Sequence, residues 1–389
     1  MKAATLEVAA FLVSSVPKVG IMTASILSIG TAVPPARVSQ RAARDVFASQ
    51  PGLSRIAQRL IHAAFDASAI EHRNTVLDDL VAAANGGTPS TEEGMPAAGA
   101  GGTILSPSTG ARNDAYIHLA PPLFAEASAQ ALAEASAAPG DVTHVVTVSC
   151  TGMFAPGPDF RLVQDLGLSR TVERYHIGFM GCAAALPGLR AAARICAAQP
   201  DAVVLVAAAE LCTLHIRSSE DPQQIVSASV FADGAAAAVV SARTFGDGPR
   251  LELRRFGTVL TSEGEKDMEW TIGDQGFDMV LTAEVPRIIG REIRDAVGAF
   301  LDGEQPDLWA VHPGGRSVLD RVETGLGLDP AALEASRAVL ARQGNMSSAT
   351  ILFILRDLLH DGNGGADRIA ALAFGPGLTV ESALLTRTR

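Results

Sequence analysis

The chain has 389 residues, a formal net charge of −11 at pH 7 and a mean hydropathy of +0.23. A chain of this length can bury a substantial core, in one large domain or two packed ones. Lysine occurs only at Lys2, Lys18 and Lys266, so no basic patch could neutralise several phosphates, and nucleic acid is not expected as a partner. No apolar run approaches the roughly eighteen uncharged residues of a membrane span, so none is expected.

All the cysteines lie in apolar segments, and they are Cys150, Cys182, Cys196 and Cys212. Their spacing fits neither a zinc site nor a disulfide framework, which predicts reduced thiols, no bound metal and a cytoplasmic location. The sequence has no P-loop, and no Gly-x-Gly-x-x-Gly motif follows a strand. Nucleotide chemistry therefore has no support.

Residues 1–22 are interpreted as a loose or partner-packed tail, and the first strand is predicted over residues 24–30. Helical patterns follow over residues 39–48 and 53–67, and a loop rich in small and polar residues over 85–102. The composition then predicts a helix over residues 120–138, with Pro121 and Pro122 in its first turn, and a strand over 142–148.

Helices and strands alternate in the rest of the chain. They are predicted over residues 159–166, 175–180, 182–198, 202–208 and 235–240. After a polar break at 243–250, helices are predicted over 285–300, from 317 and over 345–359, with strands over 308–311, 369–374 and 378–385. This alternation predicts an α/β fold with a parallel or mixed sheet covered by helices. The similar order of the two halves suggests an internal pseudo-duplication, although no sequence repeat is visible.

A strand, a glycine and a helix surround Cys182, which makes it the candidate nucleophile. Gly181 can take the tight turn between the two elements. Backbone N–H groups and the dipole at a helix start favour an anion, so the pKa of the thiol is expected to lie below its free value of roughly 8.5. An isolated cysteine is also often a small buried hydrophobe, and the pattern alone leaves both interpretations open.

Two further polar residues stand at turns. His312 ends a predicted strand, where open α/β sheets place ligands, and Asn345 stands at a predicted helix start, where it could equally serve as the N-cap. A cysteine, a histidine and an asparagine can act together, because imidazole takes the thiol proton while imidazole and amide donate to a developing oxyanion. Papain-like proteases use this trio, but the chain lacks their Cys-Trp pair and their order of elements.

Four motifs occur in one order along the chain. They are Gly178-Phe179-Met180-Gly181-Cys182, Val311-His312-Pro313-Gly314-Gly315, Gly344-Asn345-Met346-Ser347-Ser348 and Phe374-Gly375-Pro376-Gly377. Supporting pieces are Pro107-Ser108-Thr109-Gly110-Ala111-Arg112, Cys150-Thr151-Gly152 and Phe231-Ala232-Asp233-Gly234. From about residue 24 to the C-terminus the chain thus resembles the type III polyketide synthases of the chalcone synthase family.

This resemblance implies a homodimer with a thiolase-like fold, made of two pseudo-duplicated α/β halves with mixed sheets and helices in layers. The tail would cover residues 1–22, the half with the nucleophile 23–245, and the half with His312 and Asn345 246–389. Cys182 would carry the growing acyl chain, and His312 with Asn345 would bind the malonyl-CoA thioester carbonyl. Phe231 matches the gatekeeping phenylalanine between the CoA tunnel and the cavity, although core packing is its plainer interpretation. CoA thioesters are the substrates, and no cofactor is implied.

The same matching implies a set of substrate-cavity residues. They are Cys150, Thr151, Cys212, His215, Ser227, Met268, Met279 and Ser347. Several differ from plant chalcone synthases. The forms Ser149-Cys150-Thr151-Gly152 and His176-Ile177-Gly178-Phe179-Met180-Gly181-Cys182 look more like bacterial members that make alkylresorcinols or alkylpyrones from fatty acyl starters. Methionine adapts to flexible apolar chains, which agrees with a fatty acyl starter.

The helix that carries CoA-binding basic residues in the plant enzymes shows Leu60, Ala63 and Ala67 at those positions. Arg55, Arg59 and Arg73 lie close by in the sequence, and they leave the residues that bind the CoA phosphates open.

Three alternatives remain at this point. One is a chalcone-like synthase that takes an aromatic starter, and another is an initiating ketoacyl synthase that takes its substrate from a carrier protein. The third is a fatty-acyl binding or scaffold subunit without turnover, which would gain nothing from a thiol, an imidazole and an amide together.

Overall fold

The computed structural model describes residues 24–87, 97–99, 102–361 and 367–388. The predicted tail and most of the loop predicted over residues 85–102 lie outside these ranges. The strands within them are β1 Ser25–Ala32, β2 Arg37–Ser39, β3 His72–Asn74, β4 His144–Ser149, β5 Glu173–Gly178, β6 Val203–Leu211, β7 Asp233–Ser241, β8 Arg250–Leu260, β9 Met268–Gly273, β10 Gly276–Leu281, β11 Leu308–Val311, β12 Arg368–Gly375 and β13 Thr379–Thr388.

The α-helices in the same ranges alternate with the strands over most of the chain. They are α1 Gln40–Ala48, α2 Arg55–Ala67, α3 Asp78–Ala84, α4 Thr109–Glu134, α5 Pro158–Asp165, α6 Ala185–Ala198, α7 Pro222–Val230, α8 Glu284–Leu301, α9 Arg316–Leu326, α10 Glu334–Gln343 and α11 Thr350–His360. Among the described residues, no helix is long and apolar enough to cross a membrane.

One nine-stranded mixed sheet organises the molecule, in the order β11-β12-β13-β8-β1-β7-β6-β4-β5. Outward from β1, the strands β7 and β6 pair antiparallel and β4 then pairs parallel. Outward from β8, the strands β13 and β12 pair antiparallel and β11 then pairs parallel. This repeated pairing confirms the predicted α/β class with pseudo-duplicated halves, and the antiparallel β1–β8 contact joins the halves into one sheet.

Alternation along the central strands supplies the hydrophobic core on both faces of the sheet. In β6, Val204 and Val206 pack in one cluster with α6 and α11, whereas Val203 and Leu205 pack in a second cluster with α4. A third cluster packs α8 and α9 against the other half of the sheet. The strand period of two therefore explains why β6 is apolar at nearly every position.

The predicted start of the helix at residue 120 is wrong, and several strands were not predicted. Pro121 and Pro122 lie inside the 26-residue helix α4, not in its first turn, and Ser108 caps that helix by accepting from the Ala111 N–H. Burial of one face of α4 on the sheet outweighs the lost backbone hydrogen bonds. The polar, arginine-rich strand β8 and the hairpin β9–β10 were not predicted, and the predicted division at residues 245 and 246 stays a prediction.

Gly30 provides a test of the packing of β1 on α4. A Cβ at Gly30 would lie 2.1 Å from the Ala127 carbonyl oxygen and 2.6 Å from the Ala131 nitrogen, both backbone atoms. We expect Gly30→Ala to lower the free energy of unfolding by about 2–4 kcal/mol, measured by chemical denaturation.

Gly298→Ala is the matched control, because Gly298 lies on the exposed side of α8 with nothing within 4 Å of its Cβ position. That change should raise stability by up to about 1 kcal/mol through helix propensity. Equal stability of the two variants would contradict the close packing of β1 on α4.

Candidate active site

Cys182 lies in a short 3-10 turn, Gly181–Ala183, between β5 and α6. Gly181 adopts a φ of 59°, and a Cβ there would lie 2.7 Å from Cδ of Pro376. Glycine is therefore required on two grounds, a left-handed backbone and a close approach by the loop after β12. The turn buries Cys182 to 9% exposure.

The expected low pKa of the Cys182 thiol is wrong for the free protein. Burial raises this pKa to about 11, and the hydrogen bonds of Ser347 and Asn345 oppose the shift without cancelling it. The physical reason is that α6 begins only at Ala185, beyond the thiol, while the surrounding walls remove the water that would solvate a thiolate. Cys182 is therefore a neutral thiol at neutral pH.

His312 follows β11, and its backbone N–H donates to the Leu372 carbonyl at 2.8 Å. The residue is 1% exposed, and neither ring nitrogen has a hydrogen-bond partner among the described residues. Burial lowers the pKa of the imidazole to about 3. A neutral ring with both nitrogens unoccupied can accept one proton and donate another.

Asn345 has a fixed amide orientation. Its Oδ1 accepts from the Ser347 N–H at 2.8 Å, and its Nδ2 donates to the Gly314 carbonyl at 3.2 Å. The Cys182 Sγ lies 4.0 Å from the same Oδ1. Because α11 begins at Thr350, Asn345 is not the N-cap of that helix. The second Nδ2 hydrogen remains available for a carbonyl oxygen of a substrate.

Two cavities meet at Cys182. The inner cavity has a volume of about 50 Å³ and the outer cavity a volume of about 510 Å³. Cys182, Phe231, Met268 and Met279 line both cavities, whereas His312 and Asn345 line the outer cavity together with Arg287, Arg316 and Arg321. The thiol can therefore be reached from two sides, and Phe231 and the two methionines form the boundary.

The predicted substrate-cavity residues come together on the inner cavity. Every one of them lines it: Phe231, Cys150, Thr151, Cys212, His215, Ser227, Met268, Met279 and Ser347. They come from six separate stretches of the chain, so their assembly depends on the whole fold. The structure thus places the set in one cavity, while its contact with substrate stays a prediction.

The hairpin β9–β10 forms a wall of the inner cavity, and sequence reasoning missed two of its residues. The Trp270 Nε1–H donates to the Cys150 carbonyl at 2.6 Å. His215 stacks on Phe277 with ring centroids 4.2 Å apart, accepts from the Phe277 N–H at 3.0 Å and donates to the Thr151 carbonyl at 2.8 Å. Burial lowers the pKa of His215 to about 4, so the ring bridges the hairpin and the Cys150 loop in its neutral form.

Glu210 is a buried carboxylate that sequence reasoning also missed. It accepts from the Ser348 hydroxyl at 2.5 Å, the Thr151 hydroxyl at 2.8 Å and the Cys150 N–H at 3.0 Å, and the Cys150 Sγ lies 3.4 Å away. Burial raises the pKa of Glu210, and these hydrogen bonds oppose the shift. A single charged residue in the apolar run of β6 was the available signal, because a buried charge needs such partners.

The structure places Arg73, one of the three arginines considered for CoA binding, away from both cavities. Arg73 is 5% exposed and does not line either cavity, because its guanidinium bonds to the Ala228 and Phe231 carbonyls. The cations on the outer cavity are those of α8 and α9. Ala64 and Ala67 of α2 line the same cavity without contributing charge.

Comparisons with known proteins agree with this geometry. Family models described as chalcone and stilbene synthases match the chain, the N-terminal domain over residues 15–244 and the C-terminal domain over 254–388. Bisdemethoxycurcumin synthase of Oryza sativa subsp. japonica is 35% identical over 301 residues, which are 73% of this chain and 75% of that protein.

Two further similarities extend over most of the chain. Probable polyketide synthase 1 of Dictyostelium discoideum is 33% identical over 289 residues, which are 70% of this chain but only 9% of that protein. The crystal structure of PKS-I from the brown alga Ectocarpus siliculosus aligns with a TM-score of 0.86 and 29% identity, covering 94% of this chain and 98% of that one.

The fold and the site therefore define an acyltransferase with a thiolase-like architecture, as predicted. The chain belongs to the chalcone and stilbene synthase family and is a type III polyketide synthase.

The protonation state of Cys182 gives a direct test. Because its pKa is about 11, we expect the rate of Cys182 alkylation by iodoacetamide to rise tenfold per pH unit from pH 6 to 9 without a plateau. At pH 7 the rate should be about 100-fold or more below that of a cysteine in an unfolded peptide. Peptide mass spectrometry measures both rates.

The same protein unfolded in urea is the control, and its Cys182 should level off near the free pKa. A plateau below pH 7 in the folded enzyme, lost in His312→Ala, would show instead a thiolate paired with a protonated His312.

Proposed function

We propose that this type III polyketide synthase loads a fatty acyl group from acyl-CoA onto Cys182, extends it with malonyl-CoA and cyclises the product to an alkylpyrone or alkylresorcinol. The observation that carries this proposal is the meeting of Cys182, His312 and Asn345 where an inner apolar cavity joins an outer one.

Loading begins with a thiol, not a thiolate. As the Cys182 sulfur attacks the thioester carbonyl of acyl-CoA, the neutral His312 ring takes the thiol proton. Collapse of the tetrahedral intermediate breaks the bond to the CoA sulfur, and the proton passes to that leaving group. The products are the acyl-enzyme and free CoA.

Extension uses the outer cavity. The Asn345 Nδ2–H and a His312 ring N–H donate to the thioester oxygen of malonyl-CoA, so loss of CO₂ leaves an enolate whose charge rests on that oxygen. The enolate carbon attacks the acyl carbonyl on Cys182, the new carbon–carbon bond forms and the sulfur leaves. Burial keeps water from protonating the enolate before this step.

The walls of the inner cavity favour an apolar starter. Met268 and Met279 are flexible, and they lie on the boundary between the cavities beside Cys182 and Phe231. In the free protein this space is about 50 Å³, so an acyl chain enters by moving those side chains aside.

An aromatic starter is the second candidate, and a specific observation favours it. His215, Trp270 and Phe277 present three ring systems in one wall, with the Trp270 and Phe277 rings edge to face. Flat rings stack on such a wall, whereas alkyl chains gain only dispersion contacts there. The name of the rice relative, bisdemethoxycurcumin synthase, supports the same candidate.

We also propose that two copies of the chain associate through β5. This strand pairs only with β4, so its outer edge is unpaired among the described strands. Tyr175 is 47% exposed, and Phe179, Met180 and Met153 near the strand are 38%, 37% and 44% exposed. A second copy pairing on this edge would cover both the free backbone groups and the apolar side chains.

Turnover with a panel of substrates tests the reaction. We expect purified enzyme with malonyl-CoA and lauroyl- or palmitoyl-CoA to give alkyl products by mass spectrometry, at higher kcat/KM than p-coumaroyl-, benzoyl- or acetyl-CoA. Preference for an aromatic CoA would replace the fatty acyl proposal with the second candidate. Turnover only with acyl groups on a carrier protein would assign the ketoacyl synthase alternative.

Variants separate the roles of the three residues. Cys182→Ala should abolish products but still release CO₂ from malonyl-CoA, whereas His312→Ala and Asn345→Ala should slow CO₂ release about 100-fold or more. Cys196→Ala is the matched control, because Cys196 is a buried thiol of α6 outside both cavities. Full product formation by Cys182→Ala would remove the acyl-enzyme from the scheme.

The association through β5 has its own test. Wild-type enzyme should have the mass of two 40.2 kDa chains in light scattering, and Tyr175→Asp with Met180→Asp should shift it to one chain. Ile56→Asp is the control, because Ile56 is 78% exposed on α2, a helix that packs on α1 and α7. A wild-type monomer, or a dimer that survives both changes, would overturn the proposed interface.

A further inference from the structure

Arg73 is a buried cation outside both cavities. It lies on β3, is 5% exposed and packs its guanidinium 5.4 Å from the ring centre of Phe65. Its Nη1 donates to the Ala228 carbonyl at 2.6 Å and to the Phe231 carbonyl at 2.9 Å. Burying a charge costs free energy unless such partners compensate for it. The question is therefore what these two hydrogen bonds do for the structure around them.

The two carbonyls belong to the corner between α7 and β7. The Ala228 carbonyl lies in the last turn of α7, where carbonyls lack partners within the helix. The next carbonyl that Arg73 takes is that of Phe231, the residue on the boundary between the cavities. The Arg73 side chain therefore binds a carbonyl in the last turn of α7 and also the backbone carbonyl of Phe231.

The same corner is bonded to the backbone of Asn345. The Asn345 N–H donates to the Val230 carbonyl and the Ala232 N–H donates to the Asn345 carbonyl, both at 2.9 Å. Arg73 also contacts the residue before Asn345, because a Cβ on Gly344 would lie 3.0 Å from the Arg73 Cγ. Arg73 is thus in contact with both segments that carry Phe231 and Asn345.

A buried acid completes the arrangement. Asp233 accepts from the Val76 N–H at 2.9 Å and from the Thr213 N–H at 2.8 Å, and its charge opposes the burial cost of Arg73. Asp233 anchors the start of β7 to the segments after β3 and β6. The corner is therefore held by the hydrogen bonds of two buried side chains, Asp233 and Arg73.

We propose that Arg73 is a positioning residue that fixes Phe231 and Asn345 relative to each other and so couples decarboxylation of malonyl-CoA to carbon–carbon bond formation. The inference rests on the proposed function, in which the enolate forms at Asn345 and must reach the acyl group on Cys182. A shift of Phe231 away from Asn345 leaves the enolate donors Asn345 and His312 in place, but it lets the enolate take a proton before it meets the acyl group, giving acetyl-CoA.

The test is the ratio of CO₂ released to carbon–carbon bonds formed, with malonyl-CoA and the best acyl-CoA of the panel. Wild type should give a ratio near one. Arg73→Met keeps the length of the side chain but removes its donors, and we expect at least a threefold higher ratio with acetyl-CoA as the extra product. Arg73→Lys keeps a donor and a charge on a shorter side chain, so its ratio should rise only about twofold.

Arg387→Met is the matched control. Arg387 is also a buried arginine whose Nη1 donates to two backbone carbonyls, those of Leu358 and Asp361, at the end of α11. It should lose thermal stability as Arg73→Met does while its ratio stays at the wild-type value. If Arg73 had only a structural role, both variants would lose stability and both would keep the wild-type ratio of CO₂ to carbon–carbon bonds.

The outcomes separate the two proposals. A wild-type ratio in folded Arg73→Met overturns the inference. If Arg73→Met does not fold, Arg73→Lys decides: a ratio raised about twofold supports the role, and an unchanged one overturns it. A wild-type enzyme that forms no carbon–carbon bond with any starter removes the proposed function itself.

Discussion

Desolvation at the site where Phe231 of the first half of the chain meets Asn345 of the second is the constraint on which the proposed chemistry depends. The same burial raises the pKa of the Cys182 thiol to about 11 and lowers that of the His312 imidazole to about 3. Both groups are therefore neutral before substrate arrives, and no ion pair needs solvation in the free enzyme. Charge develops only during reaction, next to donors that are already oriented, where a low dielectric strengthens each interaction.

A backbone contact between Phe231 and Asn345 holds the two sides of the buried site together. It is an isolated parallel bridge between a residue of the first half and one of the second. Cys182 and Phe231 come from one half, and His312 and Asn345 from the other, so neither half contains a complete site. The site thus lies at the junction of two pseudo-duplicated halves, and each half contributes different residues to it.

Sequence reasoning found the residues but not their environment. The strand–glycine–cysteine pattern, the histidine after β11 and the asparagine after Gly344 were visible because each depends on local chain geometry. The expectation of a low pKa for Cys182 was wrong because the pKa depends on cavity walls contributed by distant segments. The Trp270 contact with Cys150 spans 120 positions, and Pro121 and Pro122 stay helical because of the sheet beneath α4, so none of these could be derived from local pattern.

In the proposed reaction, bond formation and starter choice depend on different residues around Cys182. Asn345 is held by backbone hydrogen bonds to Val230 and Ala232, whereas the hairpin β9–β10 is attached to the Cys150 loop through Trp270 and His215. Those anchors end on backbone atoms and not on the side chains of Cys182, His312 or Asn345. Changes at Met268 or Met279 can therefore alter the volume beside Cys182 without moving Asn345. In the proposed reaction, this separation would let one reaction scheme serve starters of different shape, since the residues that line the inner cavity set which acyl chain fits.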